Sequence, residues 1–338
     1  MKQEIILTAV VVFMILTGCK EEDSESEVLR VLPSNQVNDL YLDNQNTLWI
    51  ATSNGLASYR QGVWKTYDST SSLEGKNIAS LAYQFSDYSG DELWLATNNG
   101  LGVFSYEIDA VSSATNYTSE NSELLNNMVS AVAVDTGSAR WIGTSEGLIV
   151  YQGSDWFEPS TNHKFSGYTI TDIETDENGW CFVSTSGRGV LTFRMDVDVV
   201  SGATFVSDWS PLETDMVHSV FVASDSVHYY ATDSGAVFHE GYNRTDLKYW
   251  KKYRKKDGLI SDKVFAIVLD NEGILWFGTD LGLSSFDGSA WQSYTASDGL
   301  VHNQVNCLEV DIDNTLWIGT PGGLSSMQNG ILTSYLQK

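Results

Sequence analysis

The sequence predicts an all-β fold: a seven-bladed β-propeller of four-stranded antiparallel blades. Three observations predict it. A short phrase recurs seven times at near-regular intervals. Each copy parses into four short strands separated by turn residues. The chain is rich in aromatics and glycine, with 11 Trp, 16 Tyr, 28 Gly and only 4 Pro, and shows no helical period.

The first element is a leader. "MKQEIILTAVVVFMILTGC" places Lys2 before an apolar run from Ile5 to Leu16, with the acidic Glu4 between them. That run is shorter than the ~20 residues of a membrane span and fits the apolar core of a secretory signal. Leu16-Thr17-Gly18-Cys19 resembles a bacterial lipobox. The resemblance implies removal of residues 1–18 and lipidation of Cys19. Residues 19–27, with "KEEDSESE", are too polar to pack and read as a flexible tether. Cys-Lys-Glu-Glu-Asp also resembles the surface-export signal of lipoproteins in Bacteroidota-like bacteria. The expected location is therefore the outer membrane, on its surface or periplasmic side, held by the lipid alone.

The second element is the repeat, expected over 28–338. Its anchor is Thr52, Thr97, Thr144, Thr185, Thr232, Thr279 and Thr320. Three residues earlier stands an aromatic each time: Trp49, Trp94, Trp141, Phe182, Tyr229, Trp276 and Trp317. One residue earlier the position is small, as at Gly143, Gly278 and Gly319. Glycine follows three residues after the anchor, except in the fourth copy, where "TSGRGV" inserts one residue. The blades are expected near 37–77, 78–127, 129–168, 170–215, 217–262, 264–303 and 305–338. Within each, an apolar first strand such as "VFAIVLD" leads through a turn such as "DNEG" to the "LWFGT" strand. A glycine turn, a third strand, a second turn and a fourth strand follow, the last often Trp-x-x-Tyr. The aromatic should fill the space between blades, and the small residue should let a neighbour approach. The C-terminal "ILTSYLQK" already supplies the last fourth strand. "EVLRV" near Glu27 is thus either spare or an added outer strand.

These phrases resemble the two-component regulator propeller repeat, whose core is "LWIGTxxGL"; Thr144 to Leu148 and Thr320 to Leu324 match it well. The resemblance covers nearly the whole mature chain. It implies an extracytoplasmic sensor-type propeller. Members often precede a membrane span and a kinase; the sequence ends at "SYLQK" with neither, so signalling is expected to need a separate partner.

The net charge of −25 argues against nucleic acid as a partner; it serves solubility or attracts cationic ligands. The three cysteines, Cys19, Cys181 and Cys307, are no disulfide framework. Cys181 and Cys307 are expected to be buried and unpaired.

Chemistry is expected where the copies disagree. One end of the wheel gathers the blade-to-blade links and the turns after the anchors. The links offer Asn35, Asn127, Asp215, Asp262 and Asn303; the turns offer Asn54, Asn98, Asn99, Glu146, Arg188, Asp233 and Asp280. Together with His302 they form a candidate face for hydroxyl-rich or cationic ligands, or they simply cap turns. No histidine has metal-ligand spacing, and the acidic turns lack the ligands of a full calcium loop. No cofactor is expected. The function expected is a ligand-binding, sensing or protein-interaction module, with glycans as one ligand class. The alternative is a carbohydrate-active enzyme of polysaccharide-lyase type using Tyr168, Arg188, His218 and His302. "KYWKKYRKKDG", Lys248 to Gly258, is the one basic island. It is either an edge strand protected by lysines or a docking patch for an acidic partner.

Overall fold

The computed structural model describes residues 28–67, 76–85, 90–107, 110–159, 168–196, 199–205, 216–224, 226–241 and 246–337. Cys19, the leader, the tether and Asp215 lie outside the described residues. The described residues form seven sheets, in each of which four antiparallel strands follow one another in sequence order. The first strands line the axis: Val37–Leu42, Ile78–Gln84, Val129–Val134, Ile170–Thr175, Val217–Ser224, Val264–Leu269 and Cys307–Val310. Each lies against the next, and the seventh lies against the first, so the ring closes.

Closure uses one more strand. Val28–Leu32 pairs in parallel with Ile331–Gln337, making the seventh sheet five-stranded. From Val28 on, the "EVLRV" segment is thus an outer strand, and it joins the two ends of the propeller.

The core lies in the seams. Among the described residues seven apolar clusters occur, each joining two consecutive blades. Every aromatic of the repeated phrase sits in one of them, from Trp49 between blades one and two to Trp317 between seven and one. Burying such a side chain contributes roughly 1.5–3 kcal/mol. The small residue faces the same seam. A Cβ on Gly143 would come within 2.6 Å of Ile170 Cγ2, and one on Gly278 within 2.6 Å of Val305 Cγ1. In each case the neighbour is the residue that opens the next blade's axial segment.

Threonine locks the turn. All seven anchor hydroxyls are buried and donate to a glycine carbonyl, as Thr52 Oγ1 does to Gly55 O at 2.7 Å. Thr279 Oγ1 also accepts from Leu281 N and Gly282 N, both at 3.1 Å. Gly282 has φ +153°, beyond ordinary L-residue space, and a Cβ there would strike the Tyr294 carbonyl.

The first hairpin turn carries a second device. Asp270 Oδ1 accepts from Glu272 N and Ile274 N at 2.9 Å each, while its Oδ2 accepts from Trp276 Nε1 at 2.8 Å. Asp43, Asp135 and Asp311 hold Trp49, Trp141 and Trp317 in the same way. The turn aspartate therefore fixes the seam tryptophan as well as the turn. Cys181 and Cys307 are buried and free.

Candidate functional site

The rim residues divide by partner. Four link residues cap backbone at the end of the preceding fourth strand or just past it. Asn127 Oδ1 accepts from Ser119 N at 2.8 Å, Asp262 Oδ1 from Lys255 N at 2.7 Å, and Asn303 Oδ1 from Ala296 N at 2.7 Å. Asn35 Oδ1 accepts from Gln337 N at 2.6 Å across the ring closure. These oxygens tie one blade's exit to the next blade's entry. The turn residues Asn54, Asn99, Glu146 and Arg188 each donate a backbone amide to their anchor threonine. Asn98 donates its amide to Asn77 O, and Asp280 to Lys263 O. Glu146 Oε1 also accepts from Asn126 Nδ2 at 2.9 Å. His302 Nδ1 accepts from Gln304 N at 2.9 Å.

One rim pair reaches the axis. Asp233 Oδ1 lies 2.8 Å from His218 Nε2 and 3.7 Å from Lys263 Nζ. His218 belongs to the first strand of blade five, and its ring meets Phe265 edge-on at 4.8 Å. The other residues conscripted for a lyase lie apart along the chain. Tyr168 packs where a Gly187 Cβ would go, Arg188 is in the fourth blade's turn, and His302 is in the link before blade seven.

The axis itself holds a cavity of about 750 Å³. Its wall is the row of first strands, and it reads in layers. At the mouth, side chains latch one blade to the next. Asn38 Nδ2 donates to Ile78 O at 2.7 Å, Thr171 Oγ1 to Val217 O at 2.6 Å, and Asn306 Nδ2 to Val37 O at 2.9 Å. One residue deeper, Asp39 accepts from Leu81 N at 2.7 Å, and Asp172 accepts from Val220 N at 2.9 Å. Both bonds cross a seam. Two residues deeper still stands a layer of Tyr41, Ala82, Ala133, Glu174, Phe221, Val268 and Glu309.

The cavity wall below the mouth is acidic. Asp39, Asp172, Glu174 and Glu309 all line the cavity, and no lysine or arginine does among the described residues. Burial, opposed by hydrogen bonds from backbone amides, pushes Asp39 up to about 7 and Asp172 up to about 6. Burial, helped by the Asp39 charge, pushes Glu309 up to about 8. Glu174 is raised well above the ordinary carboxylate range by burial and then by Asp172, Glu309 and Asp39. All four carboxyls are therefore held above the ordinary carboxylate range. Among the described residues no group of three or more histidine, cysteine or acidic side chains is placed to hold a metal ion.

The axial carboxylates escape a reading of the rim because they sit inside apolar strands. Their signal is positional: a Glu at a column that holds alanine in blades two and three and valine in blade six.

Comparison with known proteins turns on the repeated phrase. Residues 31–54, 258–280 and 299–322 match the two component regulator propeller. The chain carries two-component regulator propeller repeats. No curated protein matches it. Similar folds occur in the extracellular domain of a B. thetaiotaomicron protein named as a hybrid two component system (TM-score 0.66, 19% identity, 88% of this chain). Another is the extracellular domain of a B. thetaiotaomicron protein named as a one component system (TM-score 0.67, 18% identity, 90% of this chain). A third is PorZ, a surface component of the type-IX secretion system of Porphyromonas gingivalis (TM-score 0.70, 17% identity, 87% of this chain). The repeat protein described here spans only 39%, 40% and 46% of those chains. At such identities the likeness establishes the fold.

Proposed function

We propose that this chain is a lipid-anchored, extracytoplasmic and non-catalytic propeller that binds a ligand or partner at its axial channel and the surrounding rim. The observation that carries this reading is the deep layer of the channel. Scaffold positions repeat around the wheel, whereas this layer differs from blade to blade and carries two glutamates with no structural latch. Unlatched, desolvated carboxyls in a cavity are costly unless something uses them.

The mouth supports hydroxyl-rich ligands as well. Asn38, Thr171 and Asn306 ring it, and Asp233, Asp280 and Glu146 belong to the rim of the same end. Glycans fit that chemistry. A sensing role follows from the repeat family by analogy, with a separate signalling partner.

A glycan array and a lyase absorbance assay on the full-length chain test this reading. Binding without turnover is expected; turnover of any polysaccharide overturns the non-catalytic assignment. The lyase alternative draws on the His218–Asp233 pair at the channel mouth. A Cys19→Ser variant should leave the membrane fraction, and continued retention would refute the lipid anchor.

A further inference from the structure

The two ends of the wheel differ. The link end carries the channel mouth and the polar rim. The opposite end carries each blade's first hairpin turn and the turn before its fourth strand. Among the described residues seven large apolar side chains are exposed, and five of them stand at that opposite end: Val63, Phe85, Leu269, Ile312 and Ile331. Ile312 at 71% and Ile331 at 70% are the most exposed of the seven. The other two, Met128 and Leu281, belong to the link end. The five come from blades six, seven, one and two, which are consecutive in the closed ring.

Hydrogen bonds join the turns of this arc into one surface. Asn271 N donates to Asn314 Oδ1 at 2.9 Å and Asn271 Nδ2 to Asp311 O at 3.3 Å, so the first turns of blades six and seven lie together. Tyr83 Oη donates to Asn44 Oδ1 at 2.5 Å and Gln45 Nε2 to Asp91 Oδ2 at 2.9 Å, which joins blades one and two. Blades seven and one share the closing seam. The chain also enters the fold from this end. Val28–Leu32 runs parallel to Ile331–Gln337, with Val28 opposite Ser334, so Val28 is its end nearer Ile331. A strand rises about 3.3 Å per residue, which puts Val28 about 10 Å from the level of Ile331. Residues 19–27 then separate Cys19 from the fold, and they span at most about 30 Å.

We propose that the wheel rests on the bilayer that holds the Cys19 lipid, with Val63, Ile312 and Ile331 leading the apolar end into the headgroup boundary. This deepens the reading above and rests on its lipid anchor. Two separate features select the same end: the direction of the entering strand and the placing of the exposed apolar side chains. An apolar surface rimmed by polar residues marks an interaction site, and a lipid surface is the partner that the tether keeps within reach. Tethering makes the contact intramolecular, so a few apolar side chains hold a face that they could not hold on a free chain. The net charge of −25 opposes anionic headgroups, so the fit is to neutral lipid. In this pose the channel mouth turns away from the membrane and stays open to a ligand or partner.

The test places the full lipidated chain in phosphatidylcholine vesicles, with and without bromine on the acyl chains. Ile312→Cys, Ile331→Cys, Met128→Cys and Leu281→Cys variants each carry a bimane label; all four positions are exposed. Cys181 and Cys307 are buried, and the unsubstituted chain treated with label is the blank. Flotation with the vesicles reads the anchor, and bimane quenching reads the pose. Brominated lipid should quench the labels replacing Ile312 and Ile331 and leave those replacing Met128 and Leu281 bright. A labelled Val63→Cys chain should be quenched too, and should lose that quenching when Ile312→Asp and Ile331→Asp are added, while still floating. A chain that floats with equal quenching at both ends, with none at either, or with quenching at the link end overturns the proposal and leaves the anchor standing. Quenching at Val63→Cys that survives the two aspartates also overturns it. A chain that does not float sinks both.

Discussion

Gly319→Ala should destabilise the wheel at its closing seam. A Cβ there would overlap Cys307 Sγ and stand 2.8 Å from Val37 Cγ1. Carbon pairs settle at about 3.5–4.0 Å, so about an ångström must be found. Both neighbours are buried, Val37 at 0% and Cys307 at 8% exposure, and Val37 opens the first blade, so neither can swing into solvent. Overpacking of this kind costs about 1–3 kcal/mol. Loss of glycine freedom in the unfolded chain offsets about 0.4–1 kcal/mol. The net expectation is a loss of roughly 0.5–2 kcal/mol. Gly102 is the internal control. It lies in a third strand, Gly100–Glu107, and its nearest Cβ neighbour is Leu95 at an ordinary 3.4 Å. Gly102→Ala should be neutral or stabilising by up to about 1 kcal/mol. Guanidinium unfolding followed by tryptophan fluorescence reads both. If Gly319→Ala unfolds at the native midpoint or above it, the seam-packing argument is wrong.

Other expectations follow from the same geometry. Trp317→Phe keeps a ring in the seam but strips Asp311 Oδ2 of its 2.9 Å indole bond, at a cost of about 1–3 kcal/mol; Trp94→Phe should cost less, since Trp94 Nε1 has no hydrogen-bond partner, and denaturant midpoints compare the two. Deleting Val28–Leu32 should expose the outer edge of Ile331–Gln337, and hydrogen exchange should show that strand's amides losing protection before those of the inner strands. The channel carboxyls make stability pH-dependent. Their folded pKa values are raised, to about 6 for Asp172, about 7 for Asp39 and about 8 for Glu309. The folded state therefore binds more protons than the unfolded state from about pH 4 upward, and stability falls as pH rises through this window. Glu309→Gln should flatten the fall near its upper end; an unchanged pH profile would show that this carboxyl is not desolvated.

The scaffold was legible because seven copies vote on it. Threonine, the preceding small residue and the aromatic each recur in register, and each has one physical job: turn lock, close approach and seam filling. The outer strand was only half legible. "EVLRV" has strand composition, but its partner is the last strand, with Val28 opposite Ser334 and Leu29 opposite Tyr335, and nothing local names it. The turn aspartates were visible as turn residues. Their second bond, to a tryptophan six residues on, depends on hairpin geometry that brings Asp311 and Trp317 face to face. The link residues also recur, and the structure gives Asn35, Asn127, Asp262 and Asn303 capping bonds that explain the recurrence. The channel was the part that pattern-reading hides. Glu174 and Glu309 share a repeat column with tyrosine, alanine, phenylalanine and valine, so alignment of the copies shows no pattern there. Only closure of the ring brings blade four to face blade seven.

A crystal structure of the full chain with an oligosaccharide that binds it on the glycan array bears most directly on the claim that the axial channel is the working site. Density in the axial channel is the expected result. An empty channel with density on the rim turns or on the outer strands would contradict it.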